Sequence, residues 1–264
     1  MPDLFNDYFD YLGEFGHGKL FQTSKYLWDP LNQLATYLPQ VLAKYKAKPS
    51  WKEPQEGFKQ TILNARGGKY KESCLFVEDW FEAKTPIYFA SLGVWIGQGT
   101  ILEPTAIIKG PTIIGEFCEI RQGAYLRGNV LIGKHCIIGH ATEIKNSLIM
   151  NHSESGHFNY VGDSIIGSYV NMGAGSKLAN LQFRSSEEKK ENFIRPIQIK
   201  QNSKTIETNR NKLGGILGDN VELGCNAVIC PGGILGKKSM IYPNACVPKG
   251  FYPPGTIFEK ESKA

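Results

Sequence analysis

The chain has 264 residues, enough for one large domain or two small ones, and its 30 Lys and Arg against 25 Asp and Glu leave a formal charge of +5. With no Lys/Arg block and no basic-aromatic interleaving, that balance excludes a nucleic-acid surface and suits a small anionic ligand. No stretch approaches eighteen uninterrupted apolar residues, so no membrane span is expected, and the acidic start MPDLFNDYFDYLGEF lacks the layout of a signal peptide.

In chain order, Phe5, Tyr8, Phe9, Tyr11, Leu12 and Phe15 predict a first amphipathic helix. Asp29 followed by Pro30 reads as an N-cap with proline at the first helical position. Leu31, Leu34, Leu38, Val41, Leu42 and Tyr45 then keep helical spacing until Lys48 and Pro49, with Pro39 expected to kink or split the helix. Residues 52–71 read as polar and irregular, with a turn at Gly67 and Gly68. Residues 1–85 are therefore expected to form a helical and extended cap over an open end of the downstream domain.

From Ile96 a six-residue beat takes over. Ile96, Leu102, Ile108, Ile114, Ile120, Leu126, Ile132, Ile138 and Ile144 fall at every sixth position, and the beat returns at Ile166, Met172 and Leu178 and again from Leu217 to Val247. Four residues after most of these aliphatics stands a small residue, such as Ala106, Thr112, Cys118 or Ala124, and glycine often follows them directly. Neither a helix nor a period-2 strand makes this pattern, which is that of a parallel β-helix. Three hexads make a triangular coil, and coils stack as parallel strands ~4.8 Å apart, with the aliphatics inside. Cys118 and Cys136, eighteen residues apart, should stack as buried free thiols, and the cysteine pattern fits a reducing cytoplasm.

The phase breaks twice. Twenty-two residues separate Ile144 from Ile166, which predicts a loop over 150–156. The longer break, 181–215, opens with the charge run RSSEEKKEN, read as a solvated loop. It continues as IRPIQIKQNSKTIET, read as a β-hairpin arm projecting from the prism. A prism interior is solid, so function must lie on its faces, in loops or between subunits. Lys109, Arg127 and Lys145 share one phase and should form a ladder of like charges, self-repelling unless anions or acidic partners neutralise it, with Glu103 and Arg121 in the neighbouring column. His157 and Tyr160 lie where the chain rejoins the prism, and an imidazole there can take a proton from a nucleophile.

The runs RQGAYL, GHATEIKNSLI, SGHFNYVGD and NMGAGSKLAN resemble the acetyltransferase domain of the bifunctional N-acetylglucosamine-1-phosphate uridyltransferase/glucosamine-1-phosphate acetyltransferase family. The resemblance implies an all-β core in the form of a left-handed parallel β-helix over 86–250, with the cap before it, the inserted hairpin arm within it and a tail at 251–264. It implies His157 as the general base and Arg121, Lys145 and Tyr160 as sugar-phosphate ligands. Glu143 falls near the substrate amine, and Asn171 orients the sugar or the acetyl group. Asn180, Cys225 and Tyr242 match the acetyl-CoA side, and no metal is implied. The implied protein is a cytoplasmic homotrimer with sites between adjacent prisms, acting on a sugar phosphate or sugar nucleotide.

Three departures stand out. No Gly-rich nucleotide loop opens the chain, so the uridyltransferase domain is expected to be absent. Asn180-Leu181-Gln182-Phe183 replaces the family's Asn-Tyr-Asp-Gly, and a phosphate-binding lysine of the family falls near Gly214, with Lys212 close by. Two other readings are open: a γ-class carbonic anhydrase-like metal site at His135 and His140, and a non-catalytic subunit whose arm binds a separate nucleotidyltransferase.

Overall fold

The computed structural model describes residues 3–46, 57–65, 70–201 and 204–259. From Val94 onward the chain winds as a β-solenoid whose turns each give one short strand to each of three nine-stranded sheets. In the order the chain meets them, sheet 1 begins with Val94–Ile96, sheet 2 with Ile101–Leu102 and sheet 3 with Ile107–Lys109. Neighbouring turns pair in parallel: Leu126 lies over Ile108, and Ile144 over Leu126. The beat residues are the core: Ile96, Leu102, Ile108, Ile120, Leu126, Ile138 and Ile144 are all fully buried in one cluster. Cys118 and Cys136 sit in that interior as expected, and the Cys136 amide donates to the Cys118 sulfur at 3.4 Å.

The first break is a contraction of the coil. Glu143 pairs with Tyr160, Leu148 with Ile165 and Glu154 with Asn171, each pair seventeen residues apart. The twenty-two residues from Ile144 to Ile166 thus hold four beats, at Ile149, Ser155, Val161 and Ile166, two of them one residue short. The expected loop at 150–156 does not exist; Met150, Asn151, Ser153 and Ser155 are buried within the stack. Serine at an inward position disguised the phase. Ser155 Oγ finds Met172 Sδ at 3.4 Å, while Ser153 Oγ donates to the Gly167 carbonyl and accepts from the Val170 amide.

The second break is a true excursion, since Ile166 pairs with Leu217, fifty-one residues on. Its charge run forms a short helix, Ser186–Lys190, closed by a capping box between Ser185 and Glu188, and none of the helix residues is buried. The hairpin is present as Gln198–Gln201 paired with Lys204–Glu207. It does not project: Ile197 and Ile199 are buried against Gly232 and the outer side of sheet 1, because an alternating apolar strand needs a surface to cover.

The N-terminal part divides its work. Its extended segments close the end of the prism, one antiparallel strand on each sheet: Ile87–Phe89 on sheet 1, Phe81–Glu82 on sheet 2 and Tyr70–Val77 on sheet 3. Residues 58–65 and 70–77 form a hairpin where an irregular stretch was expected; Gly67 and Gly68 lie outside the described residues, as do Lys48 and Pro49. Phe58 meets Phe81 and Phe89 at 4.7 and 5.3 Å to plug the apolar interior.

The helices lie elsewhere, along the flank. The outward residues of sheet 1 are aliphatic (Ile113, Leu131, Leu148, Ile165, Ile216 and Ile234) and are covered by Leu27, Trp28, Leu31, Leu34, Leu38 and Leu42. The predicted first helix shrinks to α1 (Asp3–Asn6), and Tyr8, Phe9 and Phe15 are buried from turns instead. A second short helix is α2 (Lys19–Gln22). The long helix α3 (Asp29–Lys46) runs through Pro39 without splitting, since Leu34, Leu38 and Leu42 hold both halves to the sheet. Asp29 is its first residue, and its carboxylate reaches backward to the amides of Lys25 and Tyr26 rather than capping the helix.

Candidate functional site

The predicted cation ladder exists on the outer side of sheet 3. Arg127 pairs in register with Lys109, and Lys145 occupies the next turn. Local partners relieve the repulsion. The Lys109 ammonium lies 5.1 Å from the Tyr125 ring centre and the Arg127 guanidinium 5.9 Å from it. Arg127 also bonds Glu143 at 2.6 Å, which raises the guanidinium's proton affinity. Lys145 faces Asp163 at 3.6 Å.

Tyr160 stands beside Glu143 in register, and its hydroxyl donates to Asn180 Oδ1 at 3.3 Å. Partial burial, then the negative charges of Glu143 and Asp163, push the phenol's pKa up. Glu143, Lys145, Tyr160 and Asn180 are therefore brought together. Asn180 is nearly enclosed, and its amide donates to Asp163 Oδ2 at 2.6 Å, so the side chain matched to acetyl-CoA is engaged in holding this face.

Arg121 and His157 sit at the corner between sheets 2 and 3. Arg121 grips Glu119 through Nε and Nη2 at 3.0 and 2.7 Å. His157 ends the strand Glu154–His157, in register with His140, and is exposed. Its amide donates to Asn159 Oδ1 at 3.1 Å. The Asn159 amide in turn ties the corner to the Gly173 carbonyl and Ser176 Oγ, both at 2.9 Å. Phe158, also exposed, lies beside the imidazole with ring centres 6.4 Å apart.

Asn171 lies on sheet 2, donating to Glu222 Oε2 at 2.9 Å, and shares a shallow recess with Cys225 and Tyr242. Within one chain the matched residues thus fall into three groups, on sheet 3, on sheet 2 and on the corner between them. His135 and His140 stand at opposite ends of one rung. His135 stacks between Phe117 and His152 at 5.2 and 4.8 Å, and His140 meets Phe158 edge-on.

Sequence reasoning missed Asp163 and Arg210. Asp163 is the buried hub at the corner between sheets 3 and 1, with φ of 50°. It accepts from Asn146 Nδ2 and Asn180 Nδ2 at 2.6 Å each, and from Arg210 Nη2 at 3.3 Å. Arg210 arrives from the excursion, with its side chain only 12 % exposed. Burial lowers its pKa, and Asp163 opposes that shift. An acidic residue three after Tyr160 was a readable signal for the hub, whereas nothing local marks Arg210. Gly214 cannot carry the family's lysine, since a Cβ there would stand 2.1 Å from Ser164 Oγ and 2.2 Å from the Gly162 carbonyl oxygen.

Residues 108–255 match the model of the GMPPB C-terminal domain. A bifunctional sugar-1-phosphate nucleotidylyltransferase/acetyltransferase of Sulfurisphaera tokodaii is 39 % identical over 164 residues, which is 55 % of this chain and 39 % of that one. A bifunctional protein GlmU of Methanococcus vannielii is 33 % identical over 138 residues, 52 % of this chain and 31 % of that one. The chain thus spans well under half the length of these curated relatives. Among solved structures, a UDP-N-acetylglucosamine acyltransferase of Francisella novicida superposes with a TM-score of 0.34 at 17 % identity, over 59 % of this chain and 54 % of that chain. The match to the family model covers more than half of the 264 residues, and the chain belongs to the GMPPB C-terminal domain family.

Proposed function

We propose that the protein transfers an acetyl group from acetyl-CoA to the amine of a hexosamine 1-phosphate, in the synthesis of UDP-N-acetylglucosamine-type precursors. The observation that carries this reading is the exposed imidazole of His157, whose backbone is tied through Asn159 to the corner that borders the cationic sheet 3. A ring nitrogen of His157 takes a proton from the sugar amine as the nitrogen attacks the thioester carbonyl. An N–C bond forms, the C–S bond breaks, and the proton passes on to the departing CoA thiolate. Lys145 holds the phosphate by charge-assisted hydrogen bonds, with Tyr160 beside it. The three-way split of the matched residues supports a homotrimer, in which sheet 2 of one copy, carrying Asn171, Cys225 and Tyr242, faces sheet 3 of the next.

His157→Ala is expected to abolish acetylation of glucosamine 1-phosphate, followed by mass spectrometry of the sugar, while leaving the oligomer intact. Unchanged turnover sinks the assignment. The engagement of Asn180 by Tyr160 and Asp163 favours a second reading, a non-catalytic subunit that binds a sugar nucleotide beside a separate nucleotidyltransferase. Thermal stabilisation by UDP-sugars but not by acyl-CoA selects that reading.

A further inference from the structure

We infer that Arg210, delivered by the 181–215 excursion, is a positioning residue that releases Lys145 to bind an anion. The inference rests on the reading of sheet 3 as the anion-binding face. Asp163 is a single buried carboxylate between two cations: Lys145 Nζ lies 3.6 Å from Oδ2 and Arg210 Nη2 lies 3.3 Å from Oδ1. The guanidinium's other contacts are internal. Nη1 donates to Asn32 Oδ1 of α3 at 2.5 Å and Nε to the Lys212 carbonyl at 3.1 Å. Arg210 is therefore held at three points and does not reach for a ligand.

The charges on this face do not cancel. Glu143 is matched by Arg127 at 2.6 Å, and at the neighbouring corner with sheet 2 Glu119 is matched by Arg121 at 2.7 Å. At the hub one negative charge meets two positive ones, so the group keeps a net +1. The more deeply enclosed cation, Arg210 at 12 % exposure, is aligned with the carboxylate. The more open one, Lys145 at 20 %, stands at the longer distance. Removing Arg210 would leave Asp163 and Lys145 as a closed neutral pair, and a phosphate would then have to compete with Asp163 for the ammonium.

The probe is inorganic phosphate, titrated calorimetrically at low ionic strength into the full chain. Arg210→Met is expected to weaken binding about tenfold, the weight of one unit charge roughly 10 Å away, across the Asp163 carboxylate, at an effective dielectric of about 20. Arg210→Lys, which keeps the charge, should stay within about twofold of the parent. The double variant Arg210→Met, Asp163→Asn again has Lys145 as its only net charge and should regain the parent affinity. A merely structural role for Arg210 predicts no such rescue. Lys145→Met should remove the binding. Parent-like affinity in Arg210→Met, failure of the double variant to recover, loss of binding in Arg210→Lys, or phosphate binding by the parent that is absent or indifferent to Lys145→Met each overturns the inference. With glucosamine 1-phosphate and acetyl-CoA, Arg210→Met should raise KM about tenfold and leave kcat within about twofold. A parent that follows the phosphate series but never acetylates the sugar defeats the acetyl-transfer reading and leaves Arg210's role standing. An active parent with a flat phosphate series does the reverse.

Discussion

Acid should loosen the flank of this protein through His17. Its Nδ1 lies 2.9 Å from the Tyr37 hydroxyl, and its ring packs edge-on to Tyr37 and beside Phe15. Burial lowers the imidazole's pKa from 6.5 to about 4. Folding thus favours the neutral ring: its contribution is complete above pH 6.5, is lost as the pH falls towards 4, and is level below that. A gap of about 2.5 units corresponds to about 3 kcal/mol at pH 4. His17 keeps part of its surface in water, so screening reduces the expected loss to about 2 kcal/mol. His17→Gln keeps a polar group facing Tyr37 and removes the titration. Urea unfolding followed by tryptophan fluorescence at pH 7.5, 6, 5 and 4 should show the parent losing about 2 kcal/mol more than the variant over that range. His152, whose pKa burial and His135 also lower, contributes equally to both curves and cancels. Parallel curves for parent and variant would show that burial of His17 does not govern the loss.

Two more substitutions probe the architecture. Gly115→Ala places a Cβ 2.2 Å from the Gly133 carbonyl oxygen of the next turn and should cost about 3 kcal/mol in urea, whereas Gly16→Ala, with open space around it, should change stability by less than about 0.5 kcal/mol. Leu131→Ala, on the outer side of sheet 1, and Leu126→Ala, inside the prism, should each cost about 2–5 kcal/mol, but only Leu131→Ala should expose α3 to limited proteolysis while the solenoid stays resistant. Equal protection of α3 in both variants would mean that the helix is held by something other than this flank.

The beat was readable because an inward aliphatic at every sixth residue leaves few other places to go, and the sheet registers follow it. It failed at Ser155, where a polar side chain takes an interior position by bonding to Met172, so that two shortened coils imitated an insertion. The flank was hidden for a different reason. Ile113, Leu131 and Leu148 each stand one residue before a beat position, and only the stacking of turns reveals that they form a continuous apolar strip wanting cover. Corner chemistry was partly visible: Asn129, Asn146, Asp163, Asn220, Asn226 and Asn244 all adopt positive φ, where Asn and Asp are the best tolerated of the non-glycine residues. Of the candidate site, the ladder of Lys109, Arg127 and Lys145 could be grouped by counting turns, whereas Glu143 and Tyr160, paired across the contracted coil, were placed by the family resemblance. The Asp163–Arg210 contact could not, because it joins the prism to an excursion whose path no periodicity describes.

The three reversed strands at the N-terminal end bear on how such a molecule lengthens. On sheets 1 and 2 the parallel ladder ends in an antiparallel strand, which offers no matching template to another parallel coil, and on sheet 3 the reversed strand is itself covered by residues 58–65. Extra turns gained by duplication must enter the middle of the stack or come after Phe258, and any turn entering between the cation ladder and Asp163 would shift Lys145 away from its carboxylate. The place of each turn in the stack, and not only its shape, therefore decides whether Lys145 meets Asp163.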